Sequence, residues 1–271
     1  MTKSFRREFG SVDNTTDPSD FVQYLDTIRT TDFFQEIKRR TLALMDPQPG
    51  QAVVDVGCGT GEDVRAMESR VGPEGRAVGV DLSATMIASA SERSRAQQSQ
   101  ARFVLGAVHR LPFADASFDG VRAERLLQHT PDAGAGLREM IRIARPGGRI
   151  VIWEGDLDLF VIDAPDYDTS RIMQRLICDH FHNGAIGHHL YGMFHEGGVT
   201  DVESTPLIRN LTDLPLVESA FDLTASVKLA VDRGLLEAER AARWLESLHA
   251  AAGAGRFFCS IGGYITSGRK A

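Results

Sequence analysis

From about residue 52 onward, two kinds of apolar pattern alternate along the chain. Short β-branched runs read as strands buried on both faces: Ala52–Val56, Arg76–Asp81, Arg102–Gly106, a stretch opening at Phe118, and Arg149–Trp153. Between them apolar residues recur every three or four positions, as in Met86, Ile87 and Ala90, or Leu137, Met140, Ile141 and Ile143. That period predicts helices. Gly72-Pro73-Glu74-Gly75 and Arg145-Pro146-Gly147-Gly148 supply turns ahead of the second and fifth strands. Strand and helix alternating through short connections predict right-handed crossovers and a parallel sheet.

The two ends of the chain read differently. Residues 1–16 are polar and are expected to fray. Asp17-Pro18-Ser19-Asp20 then offers an acid N-cap and a proline at the first helical position. Phe21, Tyr24, Leu25 and Ile28 mark one face of that helix. A second helix, Asp32 to Met45, carries Phe33, Phe34, Ile37, Leu42 and Leu44, and Pro47-Gln48-Pro49-Gly50 ends it. Beyond the fifth strand the pattern predicts a helix from Tyr167 to Phe181, a break at Asn183–Gly187 and a short segment from His188 to Gly197. A sixth strand, Val199 to Leu211, precedes two helices within Val217–Asp232 and Leu236–Ala250, and a last strand spans Arg256 to Ile265.

Composition narrows the function classes. A net charge of −7 speaks against an electrostatic grip on nucleic acid. No apolar run reaches the length of a membrane span, and no signal-peptide core follows Met1-Thr2-Lys3-Ser4. Cys58, Cys178 and Cys259 are odd in number and lack C-x-x-C spacing, which predicts a reducing, cytoplasmic setting.

The chemistry concentrates at Val53-Val54-Asp55-Val56-Gly57-Cys58-Gly59-Thr60-Gly61. A buried strand ends on a glycine loop, and a helix opens at Glu62-Asp63-Val64. Glycines permit positive φ and let a ligand approach bare backbone. The next strand also ends on an acid, Asp81, about twenty positions beyond Gly61. Nucleotide-binding βαβ units place a ribose-binding carboxylate at about that distance. Acids in the first helical turn would oppose a pyrophosphate. A ligand with a ribose, no phosphate and a positive charge fits better, and S-adenosylmethionine has all three properties.

These residues resemble motif I of the class I S-adenosylmethionine-dependent methyltransferases, and the resemblance extends from about Val53 to Glu154. Phe103-Val104-Leu105-Gly106-Ala107-Val108 through Leu111-Pro112-Phe113 is similar to the adenine-binding segment. Phe118-Asp119-Gly120-Val121 and Leu126-Leu127-Gln128-His129 are similar to motif II and its extension. Arg142-Ile143-Ala144-Arg145-Pro146-Gly147-Gly148-Arg149 resembles the P-G-G turn of the quinone-methyltransferase-like, small-molecule group. The implied fold is α/β: a Rossmann-like, seven-stranded, mostly parallel sheet with an insertion between strands five and six. Residues 1–50 would form an N-terminal helical cap. Residues 51–271 would form the methyltransferase domain, with lid and substrate elements at about 155–200 and 212–253. The implied cofactor set is Asp55, Gly57, Cys58, Gly59, Asp81, Leu82, Met86, Ala107, Val108, Glu124 and Arg125. Asp81 would grip the ribose, and Glu124 or Arg125 would reach the amino-acid end. One position departs from the family: Ala107 stands where an aspartate usually accepts from the adenine amino group. Losing that hydrogen bond costs about 0.5–1.5 kcal/mol.

Several other constellations have both a chemical and a purely structural reading. His129 is a candidate base or substrate-orienting group, with simple packing an equal alternative. Tyr24, His188 and Phe194 are candidate substrate contacts, with Phe21, Phe160, Phe181 and Met193 as further apolar lid residues. Lys38 and Arg39 would reach a carboxylate or stay solvated. Five of the eight histidines fall between His180 and His195, but their spacing suits no zinc site, and the acids of Glu154-Gly155-Asp156-Leu157-Asp158 lack a recognisable partner for magnesium. No metal is therefore expected. Glu124-Arg125-Leu126-Leu127 is not the D/N-P-P-aromatic tetrad of DNA amino-methylases. The expected function is methyl transfer to a small, fairly apolar metabolite. The alternatives are a cyclase or a non-methylating binding protein on the same fold and, more remotely, an NAD-dependent dehydrogenase. The acceptor, the attacked atom and the oligomeric state are open at this level.

Overall fold

The computed structural model describes residues 8–271, so the start of the segment expected to fray lies outside the described residues. The rest of that segment is built: Glu8–Asn14 forms a 3-10 turn in which Val12 is buried. Helices α1 (Ser19–Arg29) and α2 (Asp32–Met45) follow. The alternating block is β1 (Ala52–Val56), α3 (Glu62–Val71), β2 (Arg76–Asp81), α4 (Ala84–Ala96), β3 (Arg102–Leu105), β4 (Phe118–Glu124), α5 (Ala133–Ile143) and β5 (Ala144–Gly155). The insertion contributes β6 (Val161–Ile162), α6 (Tyr167–Cys178) and α7 (Ile186–Glu196). The chain ends with β7 (Val199–Leu211), α8 (Leu214–Phe221), α9 (Leu223–Asp232), α10 (Ala238–Gly253) and β8 (Cys259–Lys270).

The sheet is mixed and mostly parallel, as the fold reading expects, but it has eight strands rather than seven. β3, β2, β1, β4 and β5 lie side by side in parallel. β8 runs antiparallel to β5 along one edge and to β7 along the other. The extra strand, β6, pairs with Cys259 and Ser260 at the start of β8. Two residues are too few for an alternating pattern to show in sequence.

Two further boundaries differ from expectation. Three helices follow β7, because the chain turns at Asp222, whose φ of 45° needs neither Gly nor Pro to mark it. β8 begins later and runs longer than the last apolar run. Its glycines allow close strand contact: a Cβ at Gly263 would stand 2.2 Å from the Glu154 carbonyl oxygen. Such glycines lower apparent strand propensity while serving strand packing.

Successive residues of each strand face opposite layers, which sorts the core. Val54, Val56, Ile150 and Ile152 pack with Leu137 and Met140 of α5 and Leu190 and Phe194 of α7. Val53, Val151 and Trp153 pack on the other face with Ile37 of α2 and Val64 and Met67 of α3. Each fully buried side chain of this size contributes about 1.5–3 kcal/mol. A separate cluster joins α6, α8, α9 and α10 to Phe160 and Cys259 and includes Trp244, whose Nε1 donates to Ser170 Oγ at 3.0 Å. Among the described residues, no helix is long and apolar enough to cross a membrane.

Candidate functional site

A cavity of about 330 Å³ opens at the carboxyl ends of β1, β2 and β4, the position where open parallel sheets bind ligands. The strand ends reach it through tight backbone. Gly57, Gly59 and Gly61 have φ of 76°, 49° and 75°, which explains a glycine at every second position. At Gly61 packing also excludes a side chain, since a Cβ there would lie 2.4 Å from Phe103. All the residues expected to hold the cofactor line this one cavity: Asp55 through Gly59 from β1 and its loop, Asp81, Leu82 and Met86 after β2, Ala107 and Val108 after β3, and Glu124 and Arg125 after β4.

Asp81 is set in place by backbone. Its Oδ2 accepts from the Gly59 amide at 2.8 Å and its Oδ1 from the Ser83 amide at 2.9 Å. Burial raises its pKa, against the N–H bonds that lower it. The 3-10 turn approaches the same corner, contrary to the expectation of fraying. Asp13 accepts from Ser83 Oγ at 2.6 Å and from the Ala84 amide at 2.7 Å, capping α4 from outside. Phe9, Gly10 and Val12 thereby join the cavity wall, and no sequence signal marks them for it.

Under the glycine loop lies a buried ion network that sequence reading missed. Parallel register sets Arg122 of β4 opposite Asp55 of β1, both on the face covered by α2. Arg122 Nη1 meets Asp55 at 2.9 Å, its Nη2 meets Glu124 at 2.5 Å, and its Nε donates to Thr41 Oγ1 of α2 at 3.2 Å. Lys38 pairs with Asp63 and lies 3.5 Å from Glu124. Burial raises the Asp55 pKa; Arg122 pulls the other way. Burial also penalises the charge of Arg122 most, yet Asp63, Asp55 and Glu124 together raise its pKa. Lys38 thus reaches the cavity, whereas Arg39 is exposed and bonds Glu36.

The acids at the start of α3 carry less weight than their sequence position implied. Glu62 takes both its bonds from Arg29 at 2.7 Å, and Asp63 serves Lys38 and Arg122. Their charge is compensated locally, so it does not select a cationic ligand.

The far wall carries the candidate chemistry. Glu154, fully buried at the end of β5, accepts from the amides of Leu126 at 2.8 Å and Leu127 at 2.6 Å. Burial pushes its pKa to about 7, against those N–H bonds. It holds the turn that carries His129, a positioning duty hidden in sequence because its partners are main-chain groups. The His129 ring lies tilted against Phe9 and Phe181, with centroids 5.3 and 5.5 Å away, and its Nε2 lies 2.9 Å from Gln128 Nε2. Burial, then the charges of Arg125 and His182, lower its pKa to about 3. A neutral imidazole that resists protonation is a poor general base. That environment disfavours the basic role and leaves orientation and packing.

The three candidate substrate contacts lie outside the cavity wall. Tyr24 sits one layer back, with its ring 5.9 Å from Phe9. Phe194 is wholly buried in the central core, because the inner face of α7 packs on the sheet. His188 near the start of α7 donates its amide to Asp156 at 2.7 Å and sets Nδ1 2.6 Å from the same oxygen. The acidic and histidine stretches, unrelated when read along the chain, therefore meet at Asp156, Asp158 and His188, with potential ligand atoms within 4.8 Å. Asp156 already serves three N–H groups there: the amides of Asp158 and His188, and the His188 ring.

A sequence model of the family described as "Methyltransferase domain" matches residues 53–148. The chain is 36% identical over 118 residues to a demethylmenaquinone methyltransferase of Bacillus cereus, covering 43% of this chain and about half the length of that relative. It is 35% identical over 247 residues to an uncharacterised 37.1 kDa protein in transposon TN4556 of Streptomyces fradiae, covering 91% of this chain and 70% of that one. The chain belongs to the class I S-adenosylmethionine-dependent methyltransferases. The fold of this methyltransferase agrees: the YcgJ protein of Bacillus subtilis superposes with a TM-score of 0.60 at 18% identity, over 88% of this chain and 99% of that one. S-adenosylmethionine is the family's cofactor, and the cavity suits it. Asp81 stands prealigned by two amides, the glycine loop bares its backbone, and the volume is that of a small-molecule site.

Proposed function

We propose that this methyltransferase methylates a small, fairly apolar metabolite by in-line displacement, with residues 1–50 acting as a cap over the cofactor domain. One observation carries the reading. The glycine loop, Asp81, the Ala107–Val108 segment and a wall of cap residues converge on a single cavity. Bound S-adenosylmethionine supplies an electrophilic methyl group on a sulfonium. In this proposal Asp81 accepts from the ribose hydroxyls, Leu82 and Met86 pack against the adenosine, and the Val108 amide donates to the adenine. Gly57 and Gly59 admit the methionine end. Phe9, Leu25, Ile28 and Phe34 of the cap exclude water, and His129 orients the acceptor. Alignment and exclusion of water are the protein's main contributions to such a displacement.

Several features support a small acceptor. The cap surfaces facing the cavity are largely apolar, the net charge is −7, and a relative is named for methylating demethylmenaquinone. Three free cysteines fit a reducing, cytoplasmic setting.

The test is incubation with methyl-labelled cofactor and a pool of cytoplasmic metabolites, followed by mass spectrometry. Label on a small metabolite is the expected outcome. Cofactor that binds but is never consumed, while a candidate substrate rearranges without label, would instead establish a cyclase.

A further inference from the structure

Cations around the cavity meet acids at hydrogen-bond distance, with one exception. Arg29 is held by Glu62, Lys38 by Asp63, and Arg122 by Asp55 and Glu124. Arg125 is different. Its nearest recorded acid contact is Nε to Glu124 Oε1 at 3.8 Å, and that carboxylate is already bonded to Arg122. Its Nε is buried and has no hydrogen-bond partner among the described residues. The guanidinium carbon lies 4.5 Å from the centre of the Phe34 ring, which supplies cation–π attraction but no acceptor.

The backbone is also unusual there. Arg125 has φ of 52°, a left-handed conformation that costs a non-glycine residue about 1 kcal/mol or more. It is held there from both sides. The Arg125 amide donates to the Trp153 carbonyl at 2.9 Å, and Glu154 binds the next two amides. Leu126 is the residue that faces the glycine loop, since a Cβ at Gly57 would meet its Cδ1 at 2.9 Å. Arg125 is thus turned toward α2 and β5, beside the aromatic wall of Phe34.

An under-paired cation on the cavity wall calls for an anionic oxygen, and flat rings beside it call for a flat body. We infer that the methyl acceptor enters as a planar, apolar anion whose carboxylate, phenolate or enolate oxygen pairs with Arg125. An acceptor already anionic needs no base from the chain, in keeping with a neutral His129. The inference rests on the methyltransferase reading of the cavity, and it adds a charge and a shape that this reading leaves open. Arg125 becomes a specificity-determining residue. The methionine carboxylate of the cofactor offers the same chemistry, so the experiment separates the two sources.

The wild-type protein, saturated with S-adenosylhomocysteine, is titrated in a calorimeter with 1-hydroxy-2-naphthoate, its methyl ester and 2-naphthylmethylamine. The acid is expected to bind about tenfold or more tightly than the ester, the size of one charge-assisted hydrogen bond, with the amine weakest. In Arg125→Met the acid should fall to within about twofold of the ester. Affinity for the ester should stay within about threefold, and Arg125→Lys should keep part of the preference. Equal binding of acid and ester by the wild type overturns the inference without need of any variant. So does failure of all three naphthalenes to bind. A preference that survives in Arg125→Met, with S-adenosylhomocysteine affinity lost, assigns Arg125 to the cofactor carboxylate and overturns it as well. A wild type that does not bind S-adenosylhomocysteine refutes the methyltransferase reading first, and the inference falls with it.

Discussion

The two walls of the cavity are built on different principles. The wall formed by the ends of β1, β2 and β3 presents mostly backbone: three left-handed glycines, and an aspartate pinned by amides from its own neighbourhood. The opposite wall presents side chains gathered from distant parts of the chain: Phe9, Phe34, Arg125, His129 and, behind them, Glu154. A backbone site needs only a local turn and tolerates change elsewhere. A side-chain site depends on packing, register and burial across several elements. The first kind suits the invariant part of a ligand, the second the variable part. The strongest test of this contrast lies between the walls, in the ion network that joins them.

Arg122→Met removes the cation shared by Asp55 and Glu124 and leaves both carboxylates buried. Breaking such a pair costs about 3–5 kcal/mol, measurable as a fall in the urea midpoint at unchanged slope. Adding Asp55→Asn should recover part of that loss. If the single variant loses under 1 kcal/mol, the network is not the joint between the walls.

Asp81→Ala tests the backbone wall itself. It removes the carboxylate positioned by Gly59 and Ser83, and S-adenosylhomocysteine affinity in calorimetry should fall about 100-fold. An affinity within threefold of wild type would show that the ribose lies elsewhere.

Glu154 tests the side-chain wall through pH. Its folded pKa of about 7 exceeds the ordinary 4.5, so between those values the native state holds more protons than the unfolded chain. Stability therefore falls as pH rises from about 4.5 to about 7, and levels off above. Glu154→Gln should remove a loss of about 3 kcal/mol across that window in urea titrations. Identical pH profiles for the two proteins would mean that Glu154 does not titrate there.

The smallest effect sharpens the adenine end. Ala107→Asp restores the acid usual in the family and should tighten S-adenosylhomocysteine binding several-fold, the worth of one hydrogen bond. A weaker complex would show that Ala107 makes room for a different adenine pose.

The backbone wall was legible from residue order because its signals are local. A β-branched run, glycines at alternate positions and a second acid about twenty residues on act within one βαβ unit. The helix Asp32–Met45 and strands Ala52–Val56, Arg76–Asp81 and Val199–Leu211 also emerged at their observed limits, since strong periodicity and Pro/Gly punctuation frame them. The turn at Asp222 and the two-residue β6 did not, because neither carries a periodic signal.

Read as a sequence, the chain determined its α/β class, the order of strands and helices from β1 to β5, the glycine loop and the carboxylate of Asp81. These follow from hydrophobic period and from φ values that favour glycine. Only the tertiary structure decided which side chains face one another. Register set Arg122 against Asp55, and the docked 3-10 turn brought Phe9 to His129 and Asp13 to Ser83. Packing on the sheet removed Phe194 from the site by burying it, and joined His188 to Asp156 instead. Burial then lowered the pKa of His129 and left the Arg125 Nε without a hydrogen-bond partner among the described residues. Distance and desolvation belong to neighbours in space, and residue order alone does not name them.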